Sequence, residues 1–410
     1  MTPKLNDGHK MKSDKIESLF GLPTEVQYCK SCVMSNQRPS STIEFKNVDK
    51  KDSLAIDDRG ICSACRQHER KWDEIDYEER QKTFEKILDR HRKKDGSYDV
   101  IVSGSGGKDS DYVAHVLKHK YGMHPLTVTW PPHMYTDIGR QNFDAFVRHF
   151  DNISLSPAGN VHRLLTREAF LNLLHPFQPF ILGQKSIGPR FAMQYGIKLV
   201  IYGENESEGG SRIDPNDPKM DPKFFSVPRS QQKDIFVGKR SYDELMDMGL
   251  THTDLLPYIP LALEDVQQSD VSVYYMSYFE NWRSQEKYYY AMENCGFEPN
   301  PERTDGTFTK FCGLDDKIDG LQYFTSYIKF GLGRASYDAS QEIRHRYIDR
   351  DEGVALVHKF DGEFPRTFHQ DCLEYMGIDE DAFWAAIDRF RSPHLWEKVQ
   401  NEWKLKHRVS

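Results

Sequence analysis

The chain has 410 residues, of which 29% are charged, and a formal net charge of -8 at pH 7. This length allows more than one folded unit, and the acidic balance argues against a protein that binds the nucleic-acid backbone. No apolar run reaches the length that spans a bilayer, and the polar start MTPKLNDGHKMKSDK lacks the pattern of a secretory signal. We therefore expect a cytoplasmic protein with no nucleic-acid and no membrane partner.

The predicted elements alternate along the chain after a polar N-terminal arm (1–26) and a cysteine-paired, turn-rich segment. Partial apolar spacing predicts a helix over residues 72–94. Strands are predicted in YDVIVSG, HPLTVTWPP, DNISLSP and IKLVIY, and helices in DSDYVAHVLKHKYG, GRQNFDAFVRHF and IGPRFAMQYG. This alternation is typical of an α/β fold with a parallel sheet. Residues 211–240 are predicted to be an insertion or a mobile loop, and a mostly helical region is predicted from about residue 270 on.

Four of the seven cysteines lie in two C-x-x-C pairs, CKSC and CSAC, which contribute Cys29, Cys32, Cys62 and Cys65. Four thiolates from two such pairs suit the tetrahedral coordination of structural Zn²⁺. Redox-active pairs or core thiols are the alternatives. A zinc ion with four sulfur ligands has no open position for a reaction, so we assign it a structural role.

The sequence SGSGGKDS joins a predicted strand to a predicted helix. Backbone N–H groups and the helix dipole at such a junction favour a phosphate group. The Walker pattern fails because Gly107-Lys108 is followed by Asp109, and the dinucleotide-binding pattern fails because position 109 is not glycine. The simpler alternative is a turn in which Asp109 or Ser110 only caps the helix.

The segment from Ser105 to Ser110 resembles the pyrophosphatase loop (PP-loop) of the N-type ATP pyrophosphatases. Those enzymes adenylylate an oxygen of their substrate and release pyrophosphate. The resemblance implies that this loop holds the phosphates of ATP and that Asp109 helps to hold Mg²⁺. The residues expected to bind ATP are Ser103, Ser105, Gly106, Gly107, Lys108, Asp109, Ser110, Gly203 and Asn205.

A second segment, GENESE, resembles part of NAD synthetase at Asn205, Ser207 and Glu208. The resemblance implies that Glu208 is the second Mg²⁺ ligand beside Asp109. A carboxylate at the end of a parallel strand faces the crevice where ligands bind, which agrees with this role. A solvated acidic loop is the alternative.

The segment DDKIDGLQYFTSYIKFGLGRASYDASQEIR combines acidic and basic residues near the C-terminus. Lys329 and Arg334 flank FGLG in this segment, and we expect them to stabilise charge on the leaving pyrophosphate. With Asp109, they are the predicted catalytic residues. A helix that carries surface ion pairs is the alternative.

From about Tyr28 to the C-terminus, the combination of cysteine pairs, SGGKDS, TDIGRQNFDAF, YGEN and this last segment resembles the N-acetyl sugar amidotransferases. The resemblance implies an ATP-dependent enzyme that converts the acetamido group of a bacterial surface-sugar precursor, free or nucleotide-activated, into an acetamidino group. AMP and pyrophosphate would be released, and ammonia would attack the activated carbon. A tRNA-thiolating PP-loop enzyme and a non-catalytic, zinc-organised scaffold are the alternatives.

No cysteine of the chain lies in the pattern of a glutaminase nucleophile, and residue 2 is Thr2. Cys295, Cys312 and Cys372 are expected to be buried thiols, so the ammonia is expected from a separate glutaminase subunit. The predicted division of the chain is an arm (1–26), a zinc-binding module with a lead helix (27–96), a PP-loop ATP pyrophosphatase domain (97–265) and a helical region that completes the active site (266–410).

Overall fold

The structure is a computed structural model that describes residues 18–40, 43–46, 52–210 and 216–410, apart from the side chains of residues 206 and 207. The first 17 residues of the predicted arm, short parts of the predicted zinc module and residues 211–215 of the predicted insertion lie outside the described residues.

A five-stranded parallel sheet forms the centre of the fold, with the strand order β3-β2-β1-β4-β9. The chain runs outward from β1 to one edge and then returns to place β4 on the other side of β1. The α/β class and the parallel sheet are therefore as predicted. The strands are β1 (Val100–Ser103), β2 (Pro125–Thr129), β3 (Asn152–Ser154), β4 (Leu199–Tyr202), β5 (Ser226–Val227), β6 (Phe236–Val237), β7 (Arg240–Ser241), β8 (Leu261–Ala262), β9 (Ser272–Tyr275), β10 (Trp396–Val399) and β11 (Glu402–Leu405).

Helices cover both faces of this sheet. The helices are α1 (Ser63–Asp73), α2 (Tyr77–His91), α3 (Lys108–His119), α4 (Asp137–His149), α5 (Gly159–Leu173), α6 (Gln178–Tyr195), α7 (Tyr242–Asp247), α8 (His252–Leu255), α9 (Leu263–Ser269), α10 (Met276–Phe279), α11 (Ser284–Cys295), α12 (Asp319–Phe330), α13 (Arg334–Arg344), α14 (Arg350–Phe360), α15 (His369–Met376) and α16 (Glu380–Arg389). Helix α6 packs on one face and helix α3 on the other.

The side chains of the central strands alternate between two separate cores. Ile101 and Val200 lie in the core that includes α6, whereas Val100, Val102 and Leu199 lie in the core that includes α3. Both faces of the strands are thus buried, which explains why their sequences are almost continuously apolar. A third core joins α5 to helices α12, α15 and α16 and to the β10–β11 hairpin.

The structure differs from the predicted elements in three places. The helix predicted over 72–94 begins later, because residues 72 and 73 are the end of α1 and Asp76 caps a separate helix, α2, that begins at Tyr77. Strand β9 lies where a helical region was predicted, so the sheet extends past residue 265. The described part of 211–240 is not a loose loop, since Phe225, Val237 and other apolar side chains in it are buried in the core beside α6.

Candidate active site

The glycine-rich loop lies between the end of β1 and the start of α3. The Gly104 N–H donates to the Val128 carbonyl (3.0 Å), which continues the pairing of β1 with β2. Gly106 has φ +84°, and a Cβ at this position would lie 2.7 Å from the Asn142 carbonyl oxygen. Only glycine fits this turn, because the backbone is in the left-handed region and any side chain would force α4 to shift.

Helix α3 begins at Lys108 with Gly107 as its N-cap. Glycine has no side chain to accept from the first-turn N–H groups, and the Ser110 hydroxyl donates to the Gly107 carbonyl (2.9 Å). Asp109 and Ser110 therefore do not serve as the N-cap, which removes the reason for the simpler alternative. Uncapped N–H groups and the positive end of a twelve-residue helix favour an anion at this position.

A cavity of about 340 Å³ opens above this loop. The loop, the end of β4 and helix α6 line it, on the side where the strand order reverses between β1 and β4. In open parallel sheets this is the position at which ligands bind. Six of the nine residues predicted to bind ATP line the cavity, namely Ser103, Ser105, Gly107, Asp109, Ser110 and Gly203.

The other three predicted ATP residues lie close to the cavity but do not line it. Gly106 packs against α4, and the Lys108 ammonium donates to Asp109 Oδ2 (2.6 Å). Asn205 lines a neighbouring cavity of about 260 Å³. The two cavities share one wall residue, Glu204.

Two carboxylates face the loop cavity, Asp109 and Glu204. Asp109 Oδ1 is buried and has no hydrogen-bond partner in the described structure, while Oδ2 accepts from Lys108. Glu204 is open to both cavities, yet the surrounding protein and then the negative charge of Asp109 raise its pKa to about 7. An orphaned carboxylate oxygen beside a second carboxyl group is a donor set that suits Mg²⁺.

Glu208, the predicted second Mg²⁺ ligand, has other partners in the structure. Its Oε2 accepts from the Lys71 ammonium (2.7 Å) and lies 3.2 Å from His68 Nε2. Burial by itself would raise the pKa of Glu208, but Lys71 and His68 lower it to about 2. Glu208 thus joins helix α1 to the loop after β4 and does not line the loop cavity. Of the acidic side chains of GENESE that the structure describes, Glu204 lines the cavity with Asp109, and the sequence resemblance did not indicate it.

A loop of the C-terminal region closes one side of the glycine-rich loop. The Ser105 hydroxyl donates to Asp315 Oδ2 (3.0 Å), and burial followed by the charge of Asp316 raises the pKa of Asp315 to about 6. The His133 N–H donates to Asp316 Oδ2 (2.6 Å). A Cβ on Gly139 would lie 2.8 Å from the Asp315 carbonyl oxygen, so TDIGRQNFDAF needs glycine there to let the two segments meet.

The structure separates the two predicted catalytic cations. Lys329 is buried in the third core, where its ammonium donates to the Leu173 carbonyl (2.6 Å) and lies over the ring of Phe20. None of these groups lines the loop cavity. Arg334 instead lines the neighbouring cavity with Glu204, and its Nε donates to Asp338 Oδ1 (2.7 Å).

The four paired cysteines lie together and are buried. Their Sγ atoms are all within 4.8 Å of one another, with 3.9 Å between Cys29 and Cys65 and 3.8 Å between Cys32 and Cys62. These separations exclude S–S bonds, and they match the edge of about 3.8 Å of a zinc tetrahedron with Zn–S bonds of about 2.3 Å. The cluster can therefore hold a metal ion, and its four sulfur donors suit zinc.

Comparison with known proteins identifies similarity in the C-terminal part of the chain. Residues 305–410 match the sequence model of a family described as "LPS biosynthesis protein WbpG-like, C-terminal domain". The matched segment contains Asp315, Arg334 and Arg344. No curated protein sequence matches the chain.

Among solved structures, one similar chain is described as "Structure of NMN synthetase from Francisella tularensis". The identity is 13%, the match covers 67% of this chain and 94% of that chain, and the TM-score is 0.27.

In the described residues, no helix combines the length and the apolar character needed to cross a membrane.

Proposed function

We propose that the chain is an ATP-dependent amidotransferase of bacterial surface-sugar biosynthesis, which converts an acetamido group into an acetamidino group. The observation that carries the proposal is the SGGKDS loop at the reversal point of the sheet, with Asp109 and Glu204 facing the same cavity. The match of residues 305–410 to a WbpG-like LPS biosynthesis domain supports a sugar precursor as the substrate.

The reaction needs two steps, because the oxygen of an amide is a poor leaving group. In the first step the amide oxygen attacks the α-phosphorus of ATP, an O–P bond forms, and pyrophosphate leaves with the electrons of the broken bond. In the second step ammonia attacks the imidate carbon, loses a proton, and AMP leaves with the former amide oxygen. The product is an amidine, and neither step requires a protein nucleophile.

The residues of the loop would bind and orient the leaving phosphates. The N–H groups at the start of α3 and the Ser110 and Ser105 hydroxyls lie around the space above Gly107. The N–H groups favour the negative charge that grows on pyrophosphate as the O–P bond breaks. In the structure the two hydroxyls donate to the Gly107 carbonyl and to Asp315 Oδ2, so each would turn from that acceptor to donate to a phosphate.

Asp109 and Glu204 would hold Mg²⁺, which when bound neutralises phosphate charge. The apolar part of the same cavity, which includes Val128, Trp130 and Ile187, offers a surface for the adenine ring. ATP would then lie across the carboxyl ends of β1 and β2, with its α-phosphorus open toward the cavity that contains Arg334.

The nitrogen source is proposed to be a separate glutaminase subunit. Burial raises the pKa of Cys295 and of Cys372 to about 12, and it also raises the pKa of Cys312. All three are buried in the described structure, and such thiols are poor nucleophiles. The purified chain should use ammonium and not glutamine, and glutamine-dependent turnover by the single chain would contradict this part of the proposal.

The test of the proposed reaction is separation of the nucleotides after turnover with ATP, ammonium and a panel of nucleotide-activated acetamido sugars. AMP and pyrophosphate are the expected products, together with a sugar whose mass is about 1 Da lower, because NH replaces O. ADP with orthophosphate would refute it. Co-purifying tRNA, read from the ratio of absorbance at 260 and 280 nm, would favour tRNA thiolation instead.

A further inference from the structure

The cavity beside the loop cavity contains three arginines. Arg38 comes from the cysteine-rich segment, and Arg334 and Arg344 come from the two ends of α13. They enclose a space of about 260 Å³ whose wall toward the loop cavity is Glu204. Basic side chains that converge on a space of this size, from segments distant in the sequence, indicate a binding site for an anion.

Arg344 is the arginine of this cavity whose side chain is buried with unsatisfied donors. Its exposed fraction is 8%, and within the described residues its Nε and Nη1 atoms are buried without a hydrogen-bond partner. A guanidinium buried with two unsatisfied donors is costly unless a ligand accepts from them. The cysteine cluster lies nearby and its charge also acts on Arg344, but it accepts no hydrogen bond from these two nitrogens.

The other two arginines are held in place by their neighbours. The Arg38 guanidinium lies over the Tyr337 ring, 5.0 Å from its centroid. Arg334 donates to Asp338, whose second oxygen accepts from the Thr307 hydroxyl. Both cations are thus positioned before a ligand arrives, which lowers the entropic cost of binding.

The acidic residues of the cavity do not cancel its positive charge. Asp338 is engaged by Arg334 and Thr307. Glu204 faces the loop cavity as well, where its carboxylate would bind Mg²⁺. Among the described residues, Arg38 and Arg344 have no carboxylate partner, and Arg344 interacts electrostatically with the nearby cysteine thiolates, so both guanidinium groups can donate to an incoming oxyanion.

We propose that this cavity binds an oxyanion of the acceptor sugar, either a carboxylate or a phosphate. The inference rests on the proposed function, because it takes the loop cavity to be the site of the ATP phosphates. A ligand held on the far side of Glu204 lies next to those phosphates without competing for them. Binding the anion there would orient the acetamido group toward the α-phosphorus.

The test is direct binding, measured by calorimetry without turnover. The probes are UDP-N-acetylglucosaminuronic acid, UDP-N-acetylglucosamine and, separately, ATP with Mg²⁺. Arg38→Gln and Arg344→Gln should each weaken binding of the acidic probe about tenfold or more, because each removes a charge-assisted contact. ATP binding should stay unchanged. Arg148→Gln, at an exposed arginine on α4, is the matched control and should bind every probe like the wild type.

The two sources of the anion give different results. If a carboxylate is bound, wild-type protein should prefer the uronic acid probe, and the variants should lose that preference. If a phosphate is bound, both UDP-sugars should bind equally and weaken together in the variants.

Weakened ATP binding with unchanged sugar binding would overturn the inference, and so would no binding of either UDP-sugar by the wild type. Zinc content is measured in both variants. If Arg344→Gln loses zinc and Arg38→Gln binds normally, the arginines serve the cysteine cluster and the inference is wrong. Formation of AMP by wild-type protein is decided in a separate assay, so failure of this inference and failure of the proposed function are distinguishable.

Discussion

Glu204 and Glu208 lie four residues apart, and the structure predicts opposite consequences for the same substitution at each. Glu208→Gln removes the charge that pairs with Lys71, while Lys71 stays buried. Removing one partner of a buried ion pair costs about 3–5 kcal/mol. The lowered pKa of Glu208, about 2 against a usual value near 4.5, gives a stabilisation of about 3 kcal/mol at neutral pH. For a chain of 410 residues we therefore expect a thermal midpoint roughly 3–6 °C below that of the wild type.

Glu204→Gln should leave the thermal midpoint almost unchanged, because Glu204 is open to both cavities and its hydrogen bond to Gln341 (3.2 Å) is exposed. It should instead slow adenylylation about a hundredfold, since one electrostatic contact to the reacting phosphates is worth about 3 kcal/mol. Glu293→Gln, at an exposed position on α11, is the control for both measurements.

The assays are thermal unfolding and sugar-dependent ATP–pyrophosphate exchange at a temperature well below all the midpoints. The wild-type stabilisation from Glu208 is complete above pH 4.5 and is lost as the pH falls toward 2, because the folded pKa is the lower one. Loss of exchange in Glu208→Gln at an unchanged midpoint, with Glu204→Gln still active, would refute these roles of the two glutamates. That result would indicate that Glu208 is the second Mg²⁺ ligand, as the sequence resemblance implied.

Three further predictions concern other parts of the chain. The protein should carry about one zinc per chain, and the Cys62→Ser variant should lose the zinc and have a less stable N-terminal segment. Metal analysis that finds stoichiometric iron, or no metal in active protein, would contradict this prediction. Lys329→Met should lower the unfolding free energy by about 1–3 kcal/mol, because the hydrogen bond to the Leu173 carbonyl is lost, and it should leave the rate of pyrophosphate exchange unchanged. A large loss of rate at unchanged stability would instead support the predicted catalytic role of Lys329. Burial lowers the pKa of His345 to about 2, so this group is neutral in the fold and binds a proton on unfolding below pH 6.5. Between pH 6 and 4, the unfolding free energy of the His345→Gln variant should therefore fall less steeply with decreasing pH than that of the wild type, by about 1.4 kcal/mol per pH unit. Urea unfolding at several pH values measures both slopes, and equal slopes would contradict the prediction.

The elements that the sequence predicted correctly carry their signal within a few neighbouring residues. The apolar run before SGGKDS and the periodic residues after it determine β1, the turn and α3, because each depends on local periodicity and on glycine. The spacing of the cysteine pairs likewise predicted the cluster, since two C-x-x-C pairs already restrict where four sulfur atoms can lie. Strand β9 has four residues, and the partners that stabilise it are distant in the chain, because it pairs with β4 and its side chains are buried in two cores.

The roles of single charged residues were decided by the tertiary structure. Glu208 and Glu204 occupy the same short segment, and only the arrival of Lys71 from α1, 137 residues away in the chain, determines which of them is neutralised and which faces Asp109. The tertiary structure also decides the position of Lys329, because the packing of α12 places this side chain beside the third core. It likewise brings Arg38 into the same cavity as Arg344, which is distant from it in the sequence. The sequence by itself determined which segments bring chemical groups to the carboxyl ends of the strands. Which of those groups remains free for a ligand depends on partners that are distant in the chain, because an ion pair forms wherever folding buries two opposite charges together.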